Sequence, residues 1–252
     1  VSETTRNIGL IVGSGFVADA WPQQGQTVVE TPFGAASSPV LDVLIGGHAV
    51  QCIVRHGIGH LYAPHEVNYR ANIWALRAQG VDACIGLNIV GGIASALAPG
   101  ELAVPDQIID YTSGRISSFG TVGDVVHAEF TEPFTPSLRH RLVAAMRSEG
   151  LQAHGGTYGV TQGPRLETRA EIDRLERDGC AVVGMTAMPE AVLAREAGLG
   201  YAVLAGVVNY AAGRSPAGVS IHREMHETVG VVMERMRRVV ERLLLEWHDI
   251  VL

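Results

Sequence analysis

Short apolar runs alternate with amphipathic stretches from one end of this chain to the other. Asn7–Val12, Val40–Ile45, Val50–Arg55, Ala83–Leu87, Gly156–Thr161 and Tyr201–Val208 have the length and composition of buried strands. Leu102–Val104, Gln107–Asp110 and Ala181–Val183 are shorter pieces of the same kind. Between them, helical spacing predicts helices over Pro64–Gln79, Ser137–Ser148, Thr168–Asp178 and Met188–Ala197. In the last segment, Ser220–His248, Met225, Val229, Val232, Met236, Val239 and Leu243 recur by fours and threes. Such alternation predicts an α/β fold: a mixed, mostly parallel twisted sheet flanked by helices. No linker or repeat divides residues 1–252, so one domain is expected. Residues 111–133 show no periodicity and read as a long loop, a length that usually carries function or disorder.

Polar residues stand where apolar segments end. Ser14, Arg55-His56, Asn88 and Thr186 each follow an apolar run. Open α/β sheets bind ligands at the carboxyl ends of their strands. One fixed cation with hydroxyls and backbone amides is the combination an anion such as phosphate requires. Alone, Arg55-His56 is equally compatible with a surface pair. Gly13-Ser14-Gly15 with Ala18 loosely matches a dinucleotide fingerprint, but Trp21-Pro22 follows too soon for a crossover helix. A bare turn or a phosphate cradle fits better. Glu167 follows the turn Gly163–Leu166, and Asn209 ends the run Tyr201–Val208. A carboxylate with a carboxamide suits a ring offering both N–H donors and a keto acceptor, as a 6-oxopurine does.

Other classes are disfavoured. The net charge of −7 with no basic block argues against nucleic acid as a partner. No run approaches the length of a membrane span, and the first residues lack a signal-peptide pattern. Cys52, Cys84 and Cys180 lie in apolar runs without metal-ligand spacing, which predicts reduced, buried thiols in a cytoplasmic protein. His60 and His65 lack the spacing of a zinc site, so no metal is expected, and no G-x-S-x-G elbow supports a hydrolase triad.

Longer motifs sharpen this reading. They include GLIVGSGF (9–16), ETPFGAAS (30–37), VRHGIGHLYAPHEVNYRANIWAL (54–76) and NIVGGI (88–93). DQIIDYTSGR (106–115), EPF (132–134), TQGPRLETRAE (161–171) and GMTAMPEAVLAREAGL (184–199) complete the set. Across its length the chain resembles the trimeric purine nucleoside phosphorylases, in particular their methylthioadenosine and methylthioinosine branch. The resemblance implies phosphorolysis of a purine nucleoside, with inorganic phosphate as co-substrate and no other cofactor. It implies phosphate binding by Ser14, Arg55, His56, Asn88, the backbone of Ile89, and Thr186. It places Met185 under the ribose, Leu166 and Glu167 on the base, and Asn209 and Ala211 beside it. Ile221 and Met225 fall at the 5′ substituent, although Met225 also fits the core stripe. Arg55, His56 and Asn209 carry the catalytic roles. His127 resembles a histidine supplied by a neighbouring subunit of a homotrimer.

The departures concern the base. Adenosine-cleaving relatives have Ser at 167, Asp at 209 and a second Asp at 211, where this chain has Glu167, Asn209 and Ala211. An ionised Asp repels a 6-keto oxygen, whereas Asn donates to it and offers a carbonyl to N7–H. Glu167 accepts from N1–H, a donor adenine lacks. The expected substrate is therefore S-methyl-5′-thioinosine. Inosine or guanosine and methylthioadenosine are rival phosphorolysis substrates, and a nucleoside hydrolase or a non-catalytic binding protein are rivals of other classes. Glu224 is a charged intruder close to the expected 5′ pocket.

Overall fold

The computed structural model describes residues 7–13, 21–121, 123–217 and 219–247, so Ser14 lies outside the described residues. Three long strands form the centre: β1 (Ile8–Val12), β5 (Ala83–Gly92) and β10 (Gly200–Tyr210). β5 pairs in parallel with β1 over its first half and with β10 over its whole length. The remaining strands in chain order are β2 (Gln23–Thr27), β3 (Val40–Ile45), β4 (His48–Val54), β6 (Leu102–Ala103), β7 (Gln107–Asp110), β8 (Thr157–Val160) and β9 (Cys180–Gly184). The order across the sheet is β2-β3-β4-β1-β5-β9-β8-β7, with β10 on the other side of β5 and β6 beside β10. Pairs β1·β4, β1·β5, β5·β10, β7·β8 and β8·β9 are parallel, and β2·β3, β3·β4, β5·β9 and β6·β10 are antiparallel. The expected α/β architecture with a mixed sheet is what forms.

The central strands read as continuous apolar runs because helices cover both faces. Successive residues point to opposite sides of a strand. Leu10, Val12, Ile85, Leu87, Ala202 and Leu204 thus enter one core with α2 (Pro136–Ser148) and α5 (Ile221–Leu245). Ile11, Cys84, Tyr201, Val203 and Ala205 enter the other with α1 (Tyr69–Ala78) and α4 (Ala187–Glu196). The three cysteines are buried and unpaired. Among the described residues, no helix is long and apolar enough to cross a membrane.

A strand the sequence did not show and two shifted boundaries each have a tertiary reason. Strand β2 (QQGQT) carries no apolar signal because it is an exposed strand recruited by β3. Helix α1 starts at Tyr69 rather than Pro64, since the Asn68 side chain accepts from Ala71 N–H and caps it. Residues 57–66 are thereby released to form a loop. Strand β5 continues past Leu87 to Gly92 because β10 follows it through Val90 and, after a bulge, through Gly92.

Candidate active site

The site grows from a fork in the sheet. β1 leaves β5 after Gly86, and β9 joins the same side of β5 only at Gly91. Residues 87–90 therefore have no strand partner on that side, and backbone polar groups there face a cavity of about 780 Å³. The Leu87 carbonyl accepts from Arg55 Nη1. Two residues on, Ile89 turns its backbone the same way, which aims its N–H into the opening. The cavity has the size typical of a small-molecule site.

Arg55 follows β4 directly and is almost wholly buried, 1% exposed. Its Nε and Nη2 donate to the two carboxylate oxygens of Glu190, itself 0% exposed, on α4. Nη2 also reaches Ile11 O (3.3 Å) and Asn88 Oδ1 (2.9 Å). Burial alone would favour losing the proton. Glu190, through its charge and hydrogen bonds, outweighs that and holds the guanidinium above its ordinary pKa. One Nη1 hydrogen has no partner among the described residues, and Arg55 lines the cavity.

Asn88 sits behind the cavity wall rather than on it. Because Oδ1 accepts from Arg55, its Nδ2 must donate, and it reaches Thr186 Oγ1 (3.2 Å) and Tyr158 OH (3.3 Å). Thr186 begins α4 and lines the cavity, so its own hydroxyl proton is free to point at a ligand. Tyr201 OH donates to Glu190 Oε2 at 2.8 Å and completes the network.

His56 lines the cavity, stacked on His60 at 4.8 Å. Its Nδ1 lies 2.8 Å from the Tyr62 carbonyl, which can only accept. Burial, and then the adjacent Arg55 charge, push its pKa down to about 4. The ring is thus neutral near pH 7 with its proton on Nδ1, and Nε2 keeps a lone pair. This corrects the expectation that the histidine adds a donor beside Arg55.

Across the cavity lie Leu166, Glu167, Met185 and Asn209. Glu167 accepts from Thr161 Oγ1, 2.5 Å away. Gly163 lets this loop close on the next one: its φ is +61°, and a Cβ there would lie 2.5 Å from Met185 Sδ. Asn209 follows the β10 bulge, and its Nδ2 donates to Tyr210 O at 2.7 Å. That leaves the second Nδ2 hydrogen and Oδ1 for a ligand. Gly91 opposite makes the space, since a Cβ would sit 3.2 Å from Asn209 Nδ2.

The far end is mostly apolar, with His222 of α5 also on the wall. Ile221, Met225, Val229, Met233 and Met236 of α5 line it. Met225 both faces the cavity and packs against the core, so the two sequence readings of it coexist. Glu224 is 8% exposed and turned away: its Oε2 accepts from Tyr210 N–H and Ser215 Oγ–H. Ala211 is buried behind Asn209 with its N–H on Gly92 O, and Ala212 takes its expected place on the wall. His127 is exposed in the 111–133 loop and does not line this chain's cavity. No His/Cys/Asp/Glu group suited to a metal ion occurs among the described residues.

Sequence reasoning missed Glu190, Tyr158 and Tyr201. The available signal was Glu190 itself, a lone charge in the apolar stretch AMPEAVLA.

Comparison with known proteins agrees with this architecture. The model of the phosphorylase superfamily matches residues 7–245. A probable S-methyl-5′-thioinosine phosphorylase of Xanthomonas campestris pv. campestris is 50% identical over 217 residues, 84% of this chain and 87% of that protein. The 6-oxopurine nucleoside phosphorylase of Pyrococcus furiosus is 39% identical over 94% of this chain and 90% of its own length. The methylthioadenosine phosphorylase of Schistosoma mansoni, solved with adenine, superposes with a TM-score of 0.89 at 32% identity, covering 97% of this chain and 93% of that one. With a family model matching residues 7–245 and a solved relative of the same overall fold, the chain belongs to the phosphorylase superfamily.

Proposed function

We propose that this protein cleaves S-methyl-5′-thioinosine with inorganic phosphate, giving hypoxanthine and 5-methylthioribose 1-phosphate. One observation carries the reading: a single cavity joins the Glu167–Asn209 pair to an α5 wall of Ile221, Met225, Val229, Met233 and Met236, with His222 as its polar member and Glu224 turned out of it. The first suits a 6-oxopurine and the second a methylthio group rather than a hydroxyl. The names of the Xanthomonas and Pyrococcus relatives support the same two features.

In the mechanism, a phosphate oxygen attacks C1′ as the C1′–N9 bond breaks, and the bonding electrons pass into the purine. Arg55, Ser14, Thr186 and the Ile89 N–H hold the phosphate, whose negative charge stabilises the cationic ribose. His56 Nε2 accepts from the phosphate's remaining O–H. Met185 packs beneath the ribose and Leu166 on the base. Asn209 donates to O6 and accepts from N7 as that nitrogen gains a proton, and Glu167 accepts from N1–H. Contacts that tighten only as charge develops accelerate the reaction. No metal or organic cofactor enters. His127, beside exposed Val125 and Val126, completes a neighbouring subunit's site in a homotrimer. Cytoplasmic residence belongs to the same proposal.

The test is base release from methylthioinosine, inosine, guanosine and methylthioadenosine, each with and without phosphate. Strictly phosphate-dependent hypoxanthine release is expected, with kcat/KM for methylthioinosine about tenfold or more above inosine. Equal or better turnover of inosine would reassign the 5′ preference. Cleavage without phosphate would make the protein a hydrolase.

A further inference from the structure

The 111–133 loop sends one side chain behind the cavity. Arg115 does not line it, yet both loops that carry its ligand-facing groups hang on this residue. Nη1 donates to the carbonyls of Met185 (2.7 Å) and Met188 (2.6 Å), and Nη2 to those of Gln162 (2.7 Å) and Thr161 (3.4 Å). Nε reaches Gln162 Oε1 at 3.2 Å, and the guanidinium lies 5.7 Å from the Tyr69 ring centroid. No carboxylate pairs with Arg115 among the described residues. Its charge is spent on backbone carbonyls instead.

We infer that Arg115 is a positioning residue that couples the base-binding loop to the phosphate-binding loop. Residues 161–167 carry Glu167, which is tied to Thr161 and so lies one residue from the guanidinium's grip. Residues 184–188 carry Met185 and Thr186. A planar fork holds both loops at a fixed separation, whereas a lysine ammonium reaches one set of carbonyls and leaves the other. Ordering either loop by its ligand therefore orders the other, and phosphate and purine each raise affinity for the other. This inference rests on the phosphorolysis reading for the identity of the two ligands.

The experiment compares wild type with Arg115→Lys and Arg115→Ala. Phosphate and hypoxanthine binding are titrated by calorimetry, each alone and with the other saturating, alongside steady-state KM values and thermal melts. In wild type each ligand tightens the other. In Arg115→Lys that coupling is lost and both KM values rise about tenfold, with the melting temperature within a few degrees of wild type. Arg115→Ala behaves the same way or worse. Coupling retained in Arg115→Lys, independent binding in wild type, or losses that track only the melting temperature would overturn the inference. If wild type binds both ligands but releases no base, the phosphorolysis reading fails, while the coupling measurement still decides the role of Arg115.

Discussion

At the Arg55 end of the cavity, Arg55, Asn88, Glu190, Tyr201, Thr186 and Tyr158 form one connected set of side chains drawn from β5, β8, β10 and α4 and from the turns after β4 and before α4. At the Asn209 end, the two base-facing side chains each rest on a near sequence neighbour: Glu167 on Thr161 and Asn209 on the Tyr210 carbonyl. The first arrangement is costly to alter, because each group satisfies another that is buried with it. The second leaves identities open to change, because little else depends on them. The anion end thus suits a step shared by every substrate, and the base end suits selection among substrates.

The sharpest way to break this contrast is to remove the buried ion pair. Arg55→Met leaves Glu190 buried and unpaired, with an expected stability loss of about 3–5 kcal/mol in denaturant unfolding. Adding Glu190→Leu should restore most of that stability, yet phosphate-dependent base release should stay absent. A double variant that regains activity would show that the pair serves the fold alone. At the other end, Asn209→Asp loses the donor to Tyr210 O and should cost about 1–3 kcal/mol, less than Arg55→Met, while lowering methylthioinosine turnover about 100-fold or more, since a carboxylate would face O6. Combining it with Glu167→Ser should shift cleavage toward methylthioadenosine. Intact methylthioinosine turnover in Asn209→Asp would remove the base-reading argument. The smallest expected effect concerns His56. Its folded pKa of about 4 lies below the ordinary 6.5, so the unfolded chain takes up the proton first as pH falls. Its contribution to stability should be complete above about pH 6.5 and decline between there and about pH 4. His56→Asn should flatten that part of the stability profile, and an unchanged slope would contradict a neutral, Nδ1-bonded ring.

Much of the cavity wall was legible before the fold was known. Arg55, Ile89, Thr186, Leu166, Glu167, Met185, Asn209, Ile221 and Met225 all lie on one cavity. Arg55, Met185, Thr186 and Asn209 follow apolar runs and Glu167 follows a turn, positions visible to periodicity, whereas Ile89, Leu166, Ile221 and Met225 came from the family resemblance. The partners behind them were not. Glu190, Tyr201 and Tyr158 belong to a helix and to two strands whose apolar patterns conceal the polar ends of these side chains. Arg115 was hidden in a loop without any pattern, although the length of that loop signalled a purpose.

The sequence by itself determined the α/β layering and which residue types meet the ligand, because alternation and strand ends are local properties of the chain. Only the tertiary structure decided where each polar group points. Asn88 faces Arg55 and Thr186, Glu224 turns to Tyr210 and Ser215, and Nδ1 of His56 is taken by Tyr62. A side chain's donors and acceptors are assigned by the groups packed around them. For Asn88 those groups come from segments far away in sequence, brought together where β1 and β9 leave part of one β5 edge without a strand partner; for Glu224 and His56 they come from nearby segments that the fold holds in place.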